Sequence, residues 1–308
     1  MKRKKISVVG AGNVGATTAL RLAGLGMFDI ALVDVIEGMP QGRALDLLQA
    51  GAITLSDGSV VGSNGYDVTA GSDIVIIPGG LPRLPGMTRD DLLLKNAEVV
   101  AEAVQGVMKQ SPDPILIVVT NPLDAMCHVA ARTSGLPLSR VIGMAGILDS
   151  ARFRTFIALE LGVSVRNVDA LVLGGHGDAM VPLPRLSTVA GVPLPQLLSE
   201  ERIDALVERT RNGGTEIVSL LKTGGAYYAP SAAIAEMVRA IVFDERNILP
   251  CSTYLQGQYG IEDVFVGVPV VLGATGIQRV VELKLLPDEL KALHLSADAV
   301  RSLRDKLP

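Results

Sequence analysis

The chain has 308 residues, 48% of them hydrophobic but only 3% aromatic and none Trp, with 28 Lys and Arg against 32 Asp and Glu for a net charge of -4. That length exceeds what one hydrophobic core supports, so two domains with a cleft between them are expected. The mildly acidic balance excludes the global positive field that draws proteins to nucleic acid or anionic membrane, and no apolar run approaches the roughly 20 residues of a membrane span.

The N-terminus, MKRKKISVVGAGNVG, has the basic lead of a secretory signal, but Gly10-Ala11-Gly12-Asn13 interrupts its apolar stretch and the segment reads as a strand. Residues 6–10, 30–35, 73–80 and 115–120 are short, β-branched apolar runs, each expected to be a buried parallel strand. Stretches 13–26, 38–50 and 90–110 have helical spacing and alternate with them as βαβ units require. After a further strand at 141–146 the pattern becomes irregular. A helix is expected at 149–162, short strands among prolines at 168–193, helices at 200–222 and 231–244, strands over 247–272, and an amphipathic helix at 287–306. The division is therefore an α/β doubly wound parallel sheet in residues 1–144 and an α+β unit in residues 145–308. Cys127 and Cys251 lie in apolar surroundings without CxxC or Cys/His ligand spacing, so both read as reduced core residues of a cytosolic protein, with no metal site.

Gly10-Ala11-Gly12-Asn13-Val14-Gly15 is a GxGxxG that follows a strand and opens a helix. In that context Gly10 permits the tight turn, Gly12 lets the backbone approach a pyrophosphate, and Gly15 allows close helix packing, which is the Rossmann-type arrangement. Asp34 follows Gly15 by 19 residues, at the end of the second strand, where a carboxylate accepts from ribose hydroxyls and repels a 2′-phosphate. NAD is thus favoured over NADP. Other dinucleotides share this motif, so a nicotinamide assignment needs chemistry from elsewhere.

Four segments carry chemistry. Leu173-Gly174-Gly175-His176-Gly177-Asp178 sets a histidine among glycines after an apolar run, where the imidazole can enter a cleft as general acid/base. A core histidine satisfied by backbone is the bland alternative; His128 and His294, in helix-like sequence, read that way. Asp149-Ser150-Ala151-Arg152 places an acid at a helix-capping position with a cation three residues later. Asp149 can fix the imidazole tautomer while Arg152 clamps a carboxylate, although an N-cap with a surface ion pair has the same spacing. Gly79 to Arg89 reads as a lid whose closure brings Arg89 to a ketone oxygen as negative charge develops, with Arg83 free to bind a second carboxylate. Val119-Thr120-Asn121-Pro122 puts a side-chain amide at the carboxyl edge of the sheet, where such folds bind ligands.

Together GAGNVG, VTNP, LDSARFR, GGHGD and PRLPGMTR resemble the lactate/malate dehydrogenase family over residues 6 to about 280. The resemblance implies NAD-dependent oxidation of a small 2-hydroxy acid, with Asp149 and His176 as the proton-relay pair. It assigns Arg83, Arg89, Asn121 and Arg152 to the substrate, and Gly10, Gly12, Asn13, Val14, Gly15, Asp34, Asn96, Val119 and Asn121 to the cofactor. At the first lid position the lactate branch usually carries Gln and the malate branch Arg, so Arg83 implies a second substrate carboxylate, as in malate. Ala226, where the lactate branch often has Thr, agrees. Lactate or another 2-hydroxy acid is the nearest alternative. A homo-oligomer, tetramer or dimer, is also implied by the resemblance. A short-chain dehydrogenase is disfavoured because none of the five tyrosines has a Lys four positions later, and a catalytically silent NAD sensor is disfavoured by the complete set of charged residues.

Overall fold

The computed structural model describes residues 3–81 and 87–308. The first half runs β1 (Lys4–Val9), α1 (Asn13–Ala23), β2 (Phe28–Val33), α2 (Met39–Thr54), β3 (Val60–Ser63), β4 (Ile74–Ile77), α3 (Arg89–Met108), β5 (Ile115–Val118), α4 (Leu123–Ser134) and β6 (Val141–Gly143). Every residue of β4 and β5 is buried, as expected for strands covered by helices on both faces. On α1, buried Gly15, Thr18, Ala19 and Leu22 recur at helical spacing and form the face laid on the sheet.

The second half runs α5 (Gly146–Leu161), β7 (Val168–Asp169), β8 (Val172–Leu173), β9 (Val181–Pro182), β10 (Thr188–Val189), β11 (Val192–Pro193), α6 (Glu200–Leu221), α7 (Tyr228–Val242), β12 (Asn247–Gln256), β13 (Glu262–Gly273), β14 (Gly276–Val280) and α8 (Pro287–Arg304). Several elements differ from the sequence expectation. β3 has four residues, one of them exposed, and carries too little pattern to read. The run at 73–80 ends as a strand at Ile77 because Pro78-Gly79-Gly80 turns the chain away. The run at 141–146 stops at Gly143 because α5 starts at Gly146, three residues before the helix expected there.

The strands form the order β14-β13-β12-β6-β5-β4-β1-β2-β3. Its β3 to β6 portion is parallel, and its direction of winding reverses between β1 and β4, where open α/β sheets hold ligands. β12 then joins β6 antiparallel, with Ser252 opposite Gly143. A Cβ on Gly143 would lie 2.6 Å from both Leu123 Cδ2 and Ser252 Cβ, so only glycine lets that join close. The long strands of the second half thus extend the sheet of the first, and one core runs through both. A second cluster around Phe153, Ile157, Val168, Leu194 and Leu206 packs α5 against α6 and the short strands. Cys127 and Cys251 are free and buried, and burial pushes the Cys251 thiol up to about 12. Among the described residues no helix is long and apolar enough to cross a membrane, and no cluster of His, Cys, Asp and Glu could hold a metal.

Candidate active site

The switch point between β1 and β4 opens into a cavity of about 650 Å³. Gly10, Gly12, Asn13, Val14, Gly15 and Asp34 all line it. Gly10 has φ 124°, and a Cβ there would lie 2.6 Å from the Gly79 backbone, so the two loops meet only because both are glycine. A Cβ on Gly15 would lie 1.8 Å from the Gly10 carbonyl oxygen. No side chain caps the N-terminus of α1, so the amides of its first turn are left for an anion. Asp34 accepts from the Ala11 and Ile36 amides at 2.6 and 3.0 Å, which fixes its carboxylate beside the glycine loop. Free helix amides, a fixed carboxylate beside them and largely apolar walls fit a dinucleotide. The far end is bounded by Pro78 to Leu81 and by Gly225 to Tyr227.

Asp149, Arg152 and His176 meet in one buried cluster. Asp149, 1% exposed, approaches His176 Nδ1 with Oδ2 at 2.7 Å and accepts from Arg152 Nη1 with Oδ1 at 3.0 Å. Its expected capping position is corrected by the early start of α5: Asp149 lies in the first turn, and its carboxylate serves the cluster instead of a helix amide. Burial lowers the His176 pKa, but the Asp149 charge and hydrogen bond outweigh it and hold the imidazole above its ordinary value. With Nδ1 committed to Asp149, Nε2 is the nitrogen left to exchange a proton with a ligand.

Three further elements hold the His176 loop, and the sequence reading missed all of them. Gly174 bridges to Gly267 of β13, its amide donating to the Gly267 carbonyl at 2.8 Å. The Gly175 amide donates to Ser296 of α8 at 2.8 Å. The His176 amide donates to Asp124 Oδ2 at 2.8 Å, while Ser252 Oγ donates to Asp124 Oδ1 at 2.6 Å. Burial raises the Asp124 carboxyl above the usual range, against the lowering effect of those two donors. Asp124 follows Asn121-Pro122 by two residues, and an acid in the first turn of a buried helix is the signal that could have marked it.

Asn96 is buried on α3 and ties the lid base to the end of β5: its Oδ1 accepts from the Leu81 amide at 2.8 Å and its Nδ2 donates to the Asn121 carbonyl at 2.7 Å. Asn96, Val119 and Asn121 do not line the cofactor cavity itself. Thr88 caps α3 in a reciprocal box with Asp91, so Arg89 begins that helix in a fixed place. Arg89 Nη2 reaches to 3.6 Å from Asp178, two residues beyond His176, with both side chains exposed. Arg83 lies outside the described residues. His128 and His294 are structural as expected: His128 Nε2 accepts from the Phe265 amide, and His294 pairs with the Tyr259 carbonyl.

Two family models cover nearly the whole chain: the NAD-binding domain of lactate/malate dehydrogenase at residues 4–143, and the α/β C-terminal domain at residues 147–307. The chain belongs to the lactate/malate dehydrogenase family. A family member from Thermomicrobium roseum, named malate dehydrogenase, is 58% identical over 98% of this chain and 97% of that protein. The solved malate dehydrogenase of Salinibacter ruber superposes with a TM-score of 0.94 at 51% identity, covering 98% of this chain and 97% of that one. The lactate dehydrogenase of Cryptosporidium parvum, solved with lactic acid and NAD, gives a TM-score of 0.96 at 40% identity over 99% of this chain and 98% of its own. The Rossmann-type fold and NAD as the cofactor, both expected from the sequence, therefore stand.

Proposed function

We infer that the chain catalyses the reversible NAD-dependent oxidation of (S)-malate to oxaloacetate. The observation that carries this is the buried Asp149, Arg152 and His176 cluster of a lactate/malate dehydrogenase whose relatives at 52 to 58% identity are named malate dehydrogenase. Gly10, Gly12, Asn13, Val14, Gly15 and Asp34 would hold NAD along the crevice, with Asn96, Val119 and Asn121 toward its nicotinamide end. Bound nicotinamide supplies the acceptor or donor of a hydride.

In the oxidative direction His176 Nε2 takes the hydroxyl proton as hydride leaves the same carbon, and Asp149 stabilises the imidazolium that results. In the reductive direction the protonated ring returns that proton to the carbonyl oxygen. Arg152 pairs with the carboxylate next to the reacting carbon, Arg83 with the distal carboxylate, and Asn121 donates to the reacting oxygen. Arg89 joins them by leaving Asp178, an exchange that costs little because exposed ion pairs are worth about 0–1 kcal/mol.

Residues 1–144 form the NAD-binding domain, which also lends Arg83, Arg89 and Asn121 to the substrate, and residues 145–308 form the substrate and catalytic domain. The chain works as a homo-oligomer, tetramer or dimer, a reading supported by exposed Leu45, Leu48 and Ile53 on α2 and Leu55 just after it. It acts in the cytoplasm, in keeping with its free buried cysteines, and in the tricarboxylic acid cycle, of which malate oxidation is a step. Oxidation of NADH on addition of oxaloacetate, followed by the loss of the reduced ring's absorbance, tests the reading. It should be rapid in the wild type and lost in His176→Asn; near-normal turnover in that variant would refute the role of His176.

A further inference from the structure

Adjacent glycines in the interior of a long helix are, next to proline, the poorest local choice a sequence can make, and α6 has them at Gly213 and Gly214. Such a conflict between local preference and fold marks a functional or packing demand. Here the demand is visible. A Cβ built on Gly213 would lie 3.1 Å from Arg152 Cδ and 3.5 Å from Nε, and one built on Gly214 would lie 3.4 Å from Arg152 Nη2. At both positions the three nearest atoms all belong to Arg152. The side chain thus runs along a slot in α6 that exists because two Cβ atoms are missing.

Hydrogen bonds alone do not hold Arg152 in place. Nη1 is tied to Asp149, but Nε is buried without a hydrogen-bond partner among the described residues. Packing against the α6 backbone therefore sets where the guanidinium plane points. A planar fork gains its strength with a carboxylate only when both N–H groups are aimed, so its orientation bears directly on ligand binding.

We propose that Gly213 and Gly214 are positioning residues that aim Arg152 at the substrate carboxylate. The proposal rests on the reading of Arg152 as the carboxylate ligand. It makes α6, which carries no other assigned residue, part of the substrate site and explains why its helix tolerates two glycines.

The test compares Gly213→Ala, Gly214→Ala and the exposed control Thr215→Ala, each alone and the first also combined with Arg152→Ala, by steady-state kinetics with oxaloacetate and NADH and by thermal melting. A few tenths of an ångström of displacement should raise the oxaloacetate KM of Gly213→Ala by about tenfold, given that roughly 1 Å can cost 100-fold. The smaller intrusion of Gly214→Ala should raise it less. Neither should change the KM for NADH, and Tm should hold or rise because alanine favours the helix. In the Arg152→Ala background, which lacks the atoms that Gly213→Ala displaces, the glycine substitution should add nothing. An unchanged oxaloacetate KM in Gly213→Ala, beside a large loss in Arg152→Ala, would overturn the proposal alone. So would a glycine effect that persists without Arg152, or one that comes with a lowered Tm and a raised KM for NADH. A wild-type KM in Arg152→Ala would overturn the carboxylate assignment and the proposal with it.

Discussion

Asp149→Asn changes one buried atom and should disable the site in a direction-dependent way. The carboxylate accepts twice, from His176 Nδ1 at 2.7 Å and from Arg152 Nη1 at 3.0 Å. An amide has one acceptor and one donor group, and arginine can only donate, so the amide oxygen must face Arg152 and its NH2 must face the imidazole. Nδ1 then becomes an acceptor and the ring proton moves to Nε2, where the base for malate oxidation is needed. The lost charge adds to this: at about 4 Å and an effective dielectric near 20, its interaction with an imidazolium is about 4 kcal/mol, or about 10³ in rate. Malate oxidation should therefore fall about 10³-fold or more in kcat. For oxaloacetate reduction, which needs the protonated ring, the sign follows from the balance at His176: Asp149 raises its pKa and burial lowers it. Removing the charge leaves burial in command, so the alkaline limb of the reductive profile should move to lower pH and the loss should shrink in acid. The assay is kcat against pH in both directions, with a melting curve because the part-buried Arg152 guanidinium loses its counter-charge. An unmoved limb, or malate oxidation within about tenfold of wild type, would refute the relay.

Removing the acceptor of the His176 amide by Asp124→Ala should lower kcat more than it raises the oxaloacetate KM. It should also cost about 3 kcal/mol of stability, because two buried donors lose their partner; unchanged kcat and Tm would contradict the anchoring role of Asp124. Burial, helped by Arg304 and Arg132, holds the His128 pKa down at about 4. Because this folded value lies below the ordinary 6.5, the contribution is fully present above pH 6.5 and is lost as pH falls toward 4, by about 3 kcal/mol. Denaturant titrations at neutral and acid pH should show that slope in the wild type and a shallower one in His128→Gln; equal slopes would exclude His128 as its source. Asp34 should keep catalytic efficiency with NADH far above that with NADPH, and Asp34→Ser should narrow the ratio, since the variant no longer repels a 2′-phosphate; equal use of both cofactors by the wild type would contradict the reading.

Legibility followed the range of the interactions. The glycine loop, Asp34 and the parallel strands depend on neighbours in sequence or on simple periodicity, and the structure sets them as expected. The pairing of Asp149 with His176 bridges 27 residues and was reached through chemistry and resemblance, since no local pattern encodes it. What escaped were anchors with no chemistry of their own to announce them. Asp124 reads as an ordinary first-turn acid until Ser252, 128 residues away, comes to lie beside it. Gly213 and Gly214 read as a blemish in a helix until Arg152 fills the space above them. The two-domain reading also missed the continuity of the sheet, because a single glycine, Gly143, permits the join to β12.

The most direct test of the account is the ratio of kcat/KM for oxaloacetate to that for pyruvate, measured with NADH at neutral pH. If Arg83 binds the distal carboxylate as proposed, pyruvate leaves that guanidinium without a partner, so oxaloacetate should be favoured by about 10⁴-fold. A ratio near one, or a preference for pyruvate, would contradict the assignment of malate as the substrate.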